Sequence, residues 1–239
     1  MEWYVEITGE SFDLEELSKS LNSPELCITQ EGNAFILKST DFNILKDANE
    51  VRTRASEILS LINGSARLAL EMRKPLEVGS VVEITDDGKR RLFDLIEFAG
   101  CCFGRVSVST TIVKANGTVQ EQESHQADPI VDWIAIARYD TNVATVLRLF
   151  NKNLDWVNLY RIYEVIESDV GGIDNIIEEE WTTKRTIKRF KYTANSPDAI
   201  GDESRHGKKL MPPKDPMTFP EARSLIKTLA HKWLSSKER

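Results

Sequence analysis

The sequence predicts an α+β protein, with an antiparallel sheet and two helices in the N-terminal half and an all-helical bundle in the C-terminal half. As far as about residue 123, most segments alternate apolar and polar residues, which is the period of strands with one buried face. From about residue 131 the apolar residues recur instead at helical spacing. We therefore expect an α+β domain over residues 1–127 and a helical bundle over residues 128–239.

The first half carries the signals of tight hairpins. The dipeptides Gly32-Asn33, Asp87-Gly88 and Asn116-Gly117 each separate two alternating runs, and such pairs favour short turns between antiparallel strands. We expect strands over residues 2–8, 26–30, 34–39, 80–85, 90–98, 104–114 and 118–123. The order of elements places two helices, over 14–21 and 47–72, on one face of the sheet.

The longer of these helices has one apolar stripe that is interrupted by a glycine. The stripe repeats at helical spacing and consists of Val51, Ala55, Ile58, Leu59, Ile62 and Ala66. Gly64 lies near its end, where it either bends the helix or lets the helix pack closely against the sheet. Pro75 and Gly79 then end the element.

The sequence of the second half predicts four or five helices. We expect them over residues 131–137, 142–150, 154–170 and 175–192, with a last helix after residue 218. Gly171 and Gly172 suit the C-terminal end of the third, and Thr218 with Glu221 forms a capping box that opens the last. The aromatic stripe Trp156, Tyr160 and Tyr163 predicts either a bundle core or an interface with a second copy of the chain.

Charge is distributed unevenly along the chain. The formal net charge is −7, but residues 148–239 carry 17 Lys/Arg and 14 Asp/Glu, whereas residues 1–147 carry 14 and 24. An acidic first half argues against wrapping of the whole protein by nucleic acid, because phosphates would be repelled. The pattern leaves room for a local basic face in the second half.

The sequence also favours a cytoplasmic protein that makes no membrane contact. No apolar run is long enough to cross a bilayer, and the acidic, alternating N-terminus is unlike a signal peptide. The three cysteines, Cys27, Cys101 and Cys102, form no CxxC pair, which favours buried free thiols over a disulfide framework or a zinc site.

The densest group of polar residues surrounds Arg205 and His206. A histidine titrates near neutral pH and can accept a proton from a ribose 2′-hydroxyl, while an arginine can hold the phosphate through two N–H groups. This pair therefore predicts metal-independent phosphodiester chemistry. The alternative is a structural loop in which nearby Asp and Glu residues neutralise Arg205 and His206 binds backbone.

A basic stretch, residues 184–191 (KRTIKRFK), is the second candidate. Five of its eight residues are basic, and its i, i+4 pairs place Lys184 with Lys188 and Arg185 with Arg189 as two ridges of one helix. With Trp181, Phe190 and Tyr192 interleaved, the ridges could bind RNA phosphates and stack bases. The alternative is a solvated face that is neutralised by residues 178–180, with Glu180 paired to Lys184.

The sequence contains no motif for metal binding, nucleophilic hydrolysis or nucleotide binding. His125, His206 and His231 are scattered without metal-ligand spacing, and nucleophile-elbow, P-loop and dinucleotide fingerprints are absent. We therefore expect neither a bound metal nor another cofactor.

The second half resembles the HEPN superfamily over roughly residues 140–239. The resemblance rests on a helical bundle, a long basic helix, a loop with Arg205-His206-Gly207 and a final amphipathic helix. It implies a small all-helical domain of the kind found in prokaryotic toxin and defence systems. Many such domains are metal-independent ribonucleases that pair their motifs across the cleft of a homodimer.

The motif departs from the family pattern in one respect. Counting back from His206 by the family's spacing leads to Ala199, Ile200 and Gly201, none of which is basic, so the adjacent Arg205 stands as a substitute. The resemblance therefore leaves two hypotheses. One is an RNA-associated protein or ribonuclease whose acidic N-terminal domain serves as a sensor, partner-docking or inhibitory domain. The other is a non-enzymatic scaffold that binds a partner through the sheet or the aromatic stripe.

Overall fold

The computed structural model describes residues 2–93, 129–207 and 211–238 and confirms the α+β class. A five-stranded antiparallel sheet occupies the first half, and helices make up the second. Several predicted features lie outside the described residues: the end of the strand over 90–98, the strands over 104–114 and 118–123, the boundary at residues 127–128, Cys101, Cys102 and His125.

The sheet is built around the first strand. Its members are β1 (Glu2–Thr8), β2 (Leu26–Glu31), β3 (Ala34–Ser39), β4 (Glu77–Ile84) and β5 (Arg90–Phe93), in the order β2-β3-β1-β4-β5. In β1, Val5 lies opposite Leu37 of β3 and Val81 of β4. Gly32 (φ 63°) and Gly88 (φ 76°) adopt the left-handed conformation that their hairpin turns require, so two of the three predicted hairpins are confirmed, and the third, at Asn116-Gly117, lies outside the described residues.

Two helices cover one face of the sheet, as the sequence predicts. They are α1 (Ser11–Ser20) and α2 (Ala48–Ala69). The Asp47 carboxylate caps α2 by accepting the backbone N–H groups of Asn49 and Glu50. The apolar stripe of α2 is buried against Val5, Ile7 and other inward residues of the strands, which together form the first hydrophobic core.

The second half folds around its own core. Its helices within the described chain are α3 (Pro129–Ala137), α4 (Thr141–Asn151), α5 (Trp156–Asp169), α6 (Ile173–Glu178), α7 (Lys184–Ala194), α8 (Pro197–Ile200) and α9 (Phe219–Lys237). The capping box of Thr218 and Glu221 opens α9, as predicted. Gly171 (φ 82°) ends α5 in a Schellman arrangement, in which the N–H of Gly172 donates to the Glu167 carbonyl.

The prediction of one long helix over residues 175–192 is wrong. The chain leaves the helical path at Glu180 (φ 55°), where the N–H of Trp181 donates to the Ile176 carbonyl and closes a second Schellman arrangement. Thr183 then caps a new helix through its side-chain oxygen. Helical periodicity on both sides of the break hid it, because the residue at the left-handed position is a glutamate and not a glycine.

The aromatic stripe of α5 is core. Trp156, Tyr160 and Tyr163 are at most 5% exposed, and all three rings lie within 6.3 Å of the Phe190 ring of α7, measured between centroids. The stacked rings of Tyr160 and Phe190 fix how α5 and α7 face each other. The stripe therefore cannot serve as a partner-binding surface.

The two cores meet where α2 crosses α4. A Cβ placed on Gly64 of α2 would lie 1.9 Å from the Leu147 carbonyl oxygen of α4, so only glycine permits this approach. The alternative that Gly64 packs against the sheet is wrong; it packs against a helix of the second half. Helix α3 also bridges the halves, because Ile130 belongs to the first core and Trp133 to the second.

We expect Gly64→Ala to lower the free energy of unfolding by about 1–3 kcal/mol. The added methyl group must push two backbones apart, which outweighs the roughly 1 kcal/mol by which alanine favours a helix. Denaturant unfolding followed by circular dichroism measures the change. Ser56→Ala, at an exposed position of the same helix, is the matched control and should stay within about 0.5 kcal/mol of wild type. If Gly64→Ala is as stable as Ser56→Ala, α2 and α4 can move apart without loss of stability.

Candidate functional site

The loop that carries Arg205 and His206 is tied back to α7. The backbone N–H of Arg205 donates to the Ala194 carbonyl at 2.9 Å, and the Ser204 hydroxyl donates to the His206 carbonyl at 2.9 Å. These bonds bring the loop over the end of α7, where it lies beside α5. The backbone position of the pair is therefore set by short contacts within the helical half.

The Arg205 side chain lies on α5. Its Nη2 donates to Oε1 of Glu164 at 2.9 Å, and its guanidinium plane lies 4.4 Å from the centroid of the Tyr160 ring. The side chain is 31% exposed, so one edge of the guanidinium still faces solvent. The carboxylate and the ring together hold the group in one orientation.

His206 faces the remaining edge of that guanidinium. Its Nε2 lies 3.4 Å from Nη1 of Arg205. A guanidinium can only donate, so Nε2 can pair with Nη1 only through its lone pair. For His206 to act as a general base, the guanidinium would have to release this lone pair to the substrate.

One basic ridge of α7 leads to this pair. Lys184 and Lys188 lie on one face of the helix with Lys191, which was not singled out from the sequence. Lys191 lies 3.5 Å from Glu167 and 5.2 Å from the centroid of the Tyr163 ring, one helical turn along α5 from Arg205. We call these residues, together with the exposed Arg185 of the same helix, the α7 track: Lys184, Arg185, Lys188, Lys191, Arg205 and His206.

Carboxylates neutralise much of the α7 track. Glu164 pairs with Arg205, Glu167 with Lys191, and Asp174 with Lys184 at 3.5 Å. The predicted pairing of Glu180 with Lys184 is wrong, because Glu180 lies outside the helix. Within the described chain, the exposed side chains of Arg185 and Lys188 have no ion pair, so they are the cations most open to a phosphate.

The second ridge ends in a clamp. Arg189 donates through Nη1 and Nη2 to both carboxylate oxygens of Glu221, at 3.0 and 3.2 Å, and through Nε to the Asp215 carbonyl at 2.9 Å. Its Nη2 also lies 3.2 Å from the Pro216 carbonyl. Arg189 thus fastens α7 to the segment that opens α9, and its predicted role in binding RNA stays a prediction.

Glu221 is the acidic partner in that clamp and in the capping box. Its carboxylate accepts from Arg189 and from the backbone N–H and hydroxyl of Thr218. The hydrogen bonds from Arg189, followed by those from Thr218, lower the pKa of Glu221 to about 2. The ionised form is therefore the one that the folded chain stabilises.

A second group of cations was missed by the sequence analysis. Arg67 and Arg73 near the end of α2, with Arg223 and Lys227 on α9, line a cavity of about 780 Å³. Arg223 and Lys227 are an i, i+4 pair that could have been noticed, but nothing in the sequence brings them next to residues about 150 positions earlier. We call this feature the cationic cavity.

The remaining histidine of the described chain, His231, borders the cationic cavity. Its Nε2–H donates to the Leu68 carbonyl at 3.3 Å, and its ring meets Trp133 edge to face at 5.4 Å. Burial lowers the pKa of His231, the Leu68 carbonyl opposes that effect, and the charge of Lys227 adds to it. Across the described residues, no cluster of three or more His, Cys, Asp or Glu side chains converges as a metal site.

The wider comparisons are brief. Along the described residues, no helix combines the length and the apolar composition that a bilayer crossing requires. Comparisons with protein-family models, curated proteins and solved structures found no match for this chain. The function of this chain must therefore be inferred from the geometry of its own residues.

The clamp predicts a pH-dependent loss of stability in acid. Glu221 has a folded pKa of about 2 and an ordinary value of 4.5, so its contribution is complete above about pH 4.5 and fades as pH falls towards 2. We expect Glu221→Gln to lower the melting temperature at pH 7, with the difference from wild type shrinking between pH 4.5 and pH 2. Melting curves at several pH values measure it, with the exposed Glu178→Gln as control. If the melting-temperature difference between Glu221→Gln and wild type stays constant between pH 4.5 and pH 2, the ionised Glu221 carboxylate is not what stabilises the clamp.

Proposed function

We propose that this protein is RNA-associated and that Arg205 and His206 form the reacting pair of a metal-independent ribonuclease, as the HEPN-like resemblance implies. The observation that supports the proposal best is the contact of 3.4 Å between Arg205 Nη1 and His206 Nε2 at a partly exposed surface. A phosphate and an adjacent ribose could meet both groups at once. Our proposal thus assigns His206 to proton transfer and Arg205 to the phosphate.

The chemistry follows from the two side chains. Once Arg205 turns from Nε2 to the bound phosphate, neutral His206 would accept the proton of a ribose 2′-hydroxyl as that oxygen attacks the adjacent phosphorus. The imidazolium would then return the proton to the 5′-oxygen of the next nucleotide as its bond to phosphorus breaks. Arg205 would stabilise the negative charge that builds on the phosphoryl oxygens. Glu164 holds Arg205 from the opposite side and so acts as a positioning residue.

The α7 track supplies a path for the strand. Arg185 and Lys188 are exposed cations near the path, and Lys191 leads from them towards Arg205. Phosphates that bind along the track would compete with Glu164 and Glu167 for Arg205 and Lys191. Binding should therefore be moderate in affinity and sensitive to salt.

The first half would serve as a docking domain. Its acidic composition disfavours RNA, and the protein partner that we propose for it would meet the sheet, since the aromatic stripe of α5 is buried. A homodimer that joins two α7 tracks belongs to the same proposal. Light scattering of the full chain tests that association.

Cleavage provides the direct test. We expect the wild-type chain to cleave single-stranded RNA in the presence of EDTA and His206→Ala to reduce the rate by at least about a hundredfold, the contribution typical of a general acid or base. The melting temperature should change little, because the His206 side chain makes only the contact with Arg205 in the described chain. Initial rates on a fluorescent RNA oligonucleotide measure the effect.

Two controls make that test decisive. His206→Asn keeps a polar side chain but cannot transfer protons, so it should be as slow as His206→Ala. Glu164→Gln should slow cleavage less while retaining the pH profile of wild type, because it only positions Arg205. An absence of cleavage in wild type, or equal rates in wild type and His206→Ala, would remove the ribonuclease proposal.

RNA binding by the α7 track predicts a change in salt dependence. For a single strand, the slope of log K against log salt is about −0.7 per phosphate contact, so Arg185→Gln with Lys188→Gln should reduce its magnitude by about 1.4. Fluorescence anisotropy with labelled RNA measures the slope. The matched control, Lys19→Gln with Lys46→Gln, removes the same charge from exposed positions of the first half. Identical slopes for the two double variants would exclude the α7 track.

A non-enzymatic scaffold is the second candidate, and the contacts of the loop favour it. The Arg205 side chain meets Glu164 and the Tyr160 ring, and these two contacts are enough to explain why an arginine lies there. In this case Arg205→Ala would lower the melting temperature clearly, and wild type would not cleave RNA. The scaffold would then bind its partner through the sheet.

A further inference from the structure

The cationic cavity lies on the surface where the two halves of the chain join. The end of α2 forms one wall, the first three turns of α9 form another, and Asn153 and Leu154 close the end between α4 and α5. Its volume, about 780 Å³, is within the range of pockets that hold small ligands. Three separate parts of the sequence thus contribute to one concave surface.

The lining of the cationic cavity is strongly positive. Arg67, Arg73, Arg223 and Lys227 face a single carboxylate, that of Glu71, so the charged side chains carry a net +3 with His231 neutral. The α7 track differs, because each of its paired cations has its own carboxylate. Since the whole chain carries −7, this concentration of positive charge is local.

Arg67 is held in place by backbone groups. Its Nη1 donates to the carbonyls of Phe150 and Lys152 at 3.1 and 2.6 Å, and its Nη2 lies 3.4 Å from the Arg73 carbonyl. No carboxylate pairs with Arg67 in the described chain. Burial lowers the pKa of Arg67, and the nearby charge of Arg223 lowers it further. Arg67 and Arg223 thus line the same cavity, and neither has a carboxylate partner within the described chain.

Lys227 adds a third fixed charge. Its side chain is only 13% exposed, and its Nζ lies 2.8 Å from the largely exposed carboxylate of Glu71. Burial of a lysine side chain is costly unless its charge is compensated. An incoming anion would compete with Glu71 for Lys227.

Apolar side chains complete the cavity. Leu154 and Phe219 are partly buried and line it, and the Phe219 ring is fixed edge to face against Trp156 at 5.7 Å. A ligand with an apolar or aromatic portion could rest there, but the charged wall dominates the lining. The recognised group must therefore be a compact and multiply charged anion.

We propose that the cationic cavity binds an oligophosphate, a ligand with two or three linked phosphoryl groups. Guanidinium groups match phosphate oxygens in a bidentate way, and a triphosphate carries enough negative charge to balance the lining. A single carboxylate would leave most of the positive charge uncompensated. An RNA strand suits an open track better than a concavity of this volume. The oligophosphate could be free or be part of a nucleotide.

The test is titration calorimetry of the full chain with inorganic tripolyphosphate, ATP and adenosine. We expect the first two to bind and adenosine not to bind. Arg223→Gln should weaken the binding of tripolyphosphate by about tenfold or more, which is the usual effect of losing one charge-assisted hydrogen bond. Arg223 is exposed, and no hydrogen bond within the described chain depends on its side chain, so the variant should fold.

Matched variants locate the site. Lys232→Gln removes one charge from the same helix outside the cavity and should bind tripolyphosphate as wild type does. Arg73→Gln, exposed on the opposite wall, should weaken binding as Arg223→Gln does. Tighter binding of ATP than of tripolyphosphate would identify a nucleotide as the source, and equal binding a free oligophosphate.

Three outcomes would overturn the proposal. The first is no heat of binding with millimolar tripolyphosphate or ATP, and the second is an equal loss of binding in Lys232→Gln and Arg223→Gln. The third is binding of an RNA strand at this cavity when neither small ligand binds. RNA cleavage at His206 is a separate measurement. Arg223→Gln leaves His206 and Arg205 intact, so this inference and the ribonuclease proposal can fail independently.

Discussion

The close approach of α2 to α4 at Gly64 is the constraint on which most of the molecule depends. Because Gly64 has no side chain, the Leu147 carbonyl of α4 packs directly against α2. The hydrophobic core of the sheet-bearing half therefore meets that of the helical half at this crossing. One turn later on α2, Arg67 reaches the carbonyls of Phe150 and Lys152 at the end of α4. The same helix crossing therefore joins the two cores and sets one wall of the cationic cavity.

A second constraint, the stacking of aromatic rings between α5 and α7, arranges the opposite surface. Because Tyr160 and Tyr163 are packed against Phe190, their outer ring faces remain available to Arg205 and Lys191. Core packing and the display of cations are thus produced by the same residues. The clamp between Arg189 and Glu221 then fixes the start of α9 relative to α7, and α9 carries Arg223 and Lys227 to the other side.

The two sites differ in how their charge is compensated. At the α7 track each paired cation has a carboxylate partner, which suits a strand that binds by exchange and leaves again. In the cationic cavity, several cations face one largely exposed carboxylate, which suits a compact anion that neutralises them together. This difference in local neutralisation, and not the number of basic residues, separates the two proposals.

By itself, the sequence determined the local structure. Alternation identified the strands that the structure describes, Gly32 and Gly88 identified their two hairpins, and the Thr218–Glu221 capping box identified the start of the last helix, because each signal acts within a few residues. It failed at Glu180, where a left-handed residue other than glycine ends a helix whose periodicity continues beyond it. Only the tertiary structure decided that Gly64 faces a helix, that Arg189 belongs to a clamp and that Arg67 lies beside Arg223. Those outcomes depend on contacts between residues far apart in the chain, and no local pattern encodes which distant side chains will meet.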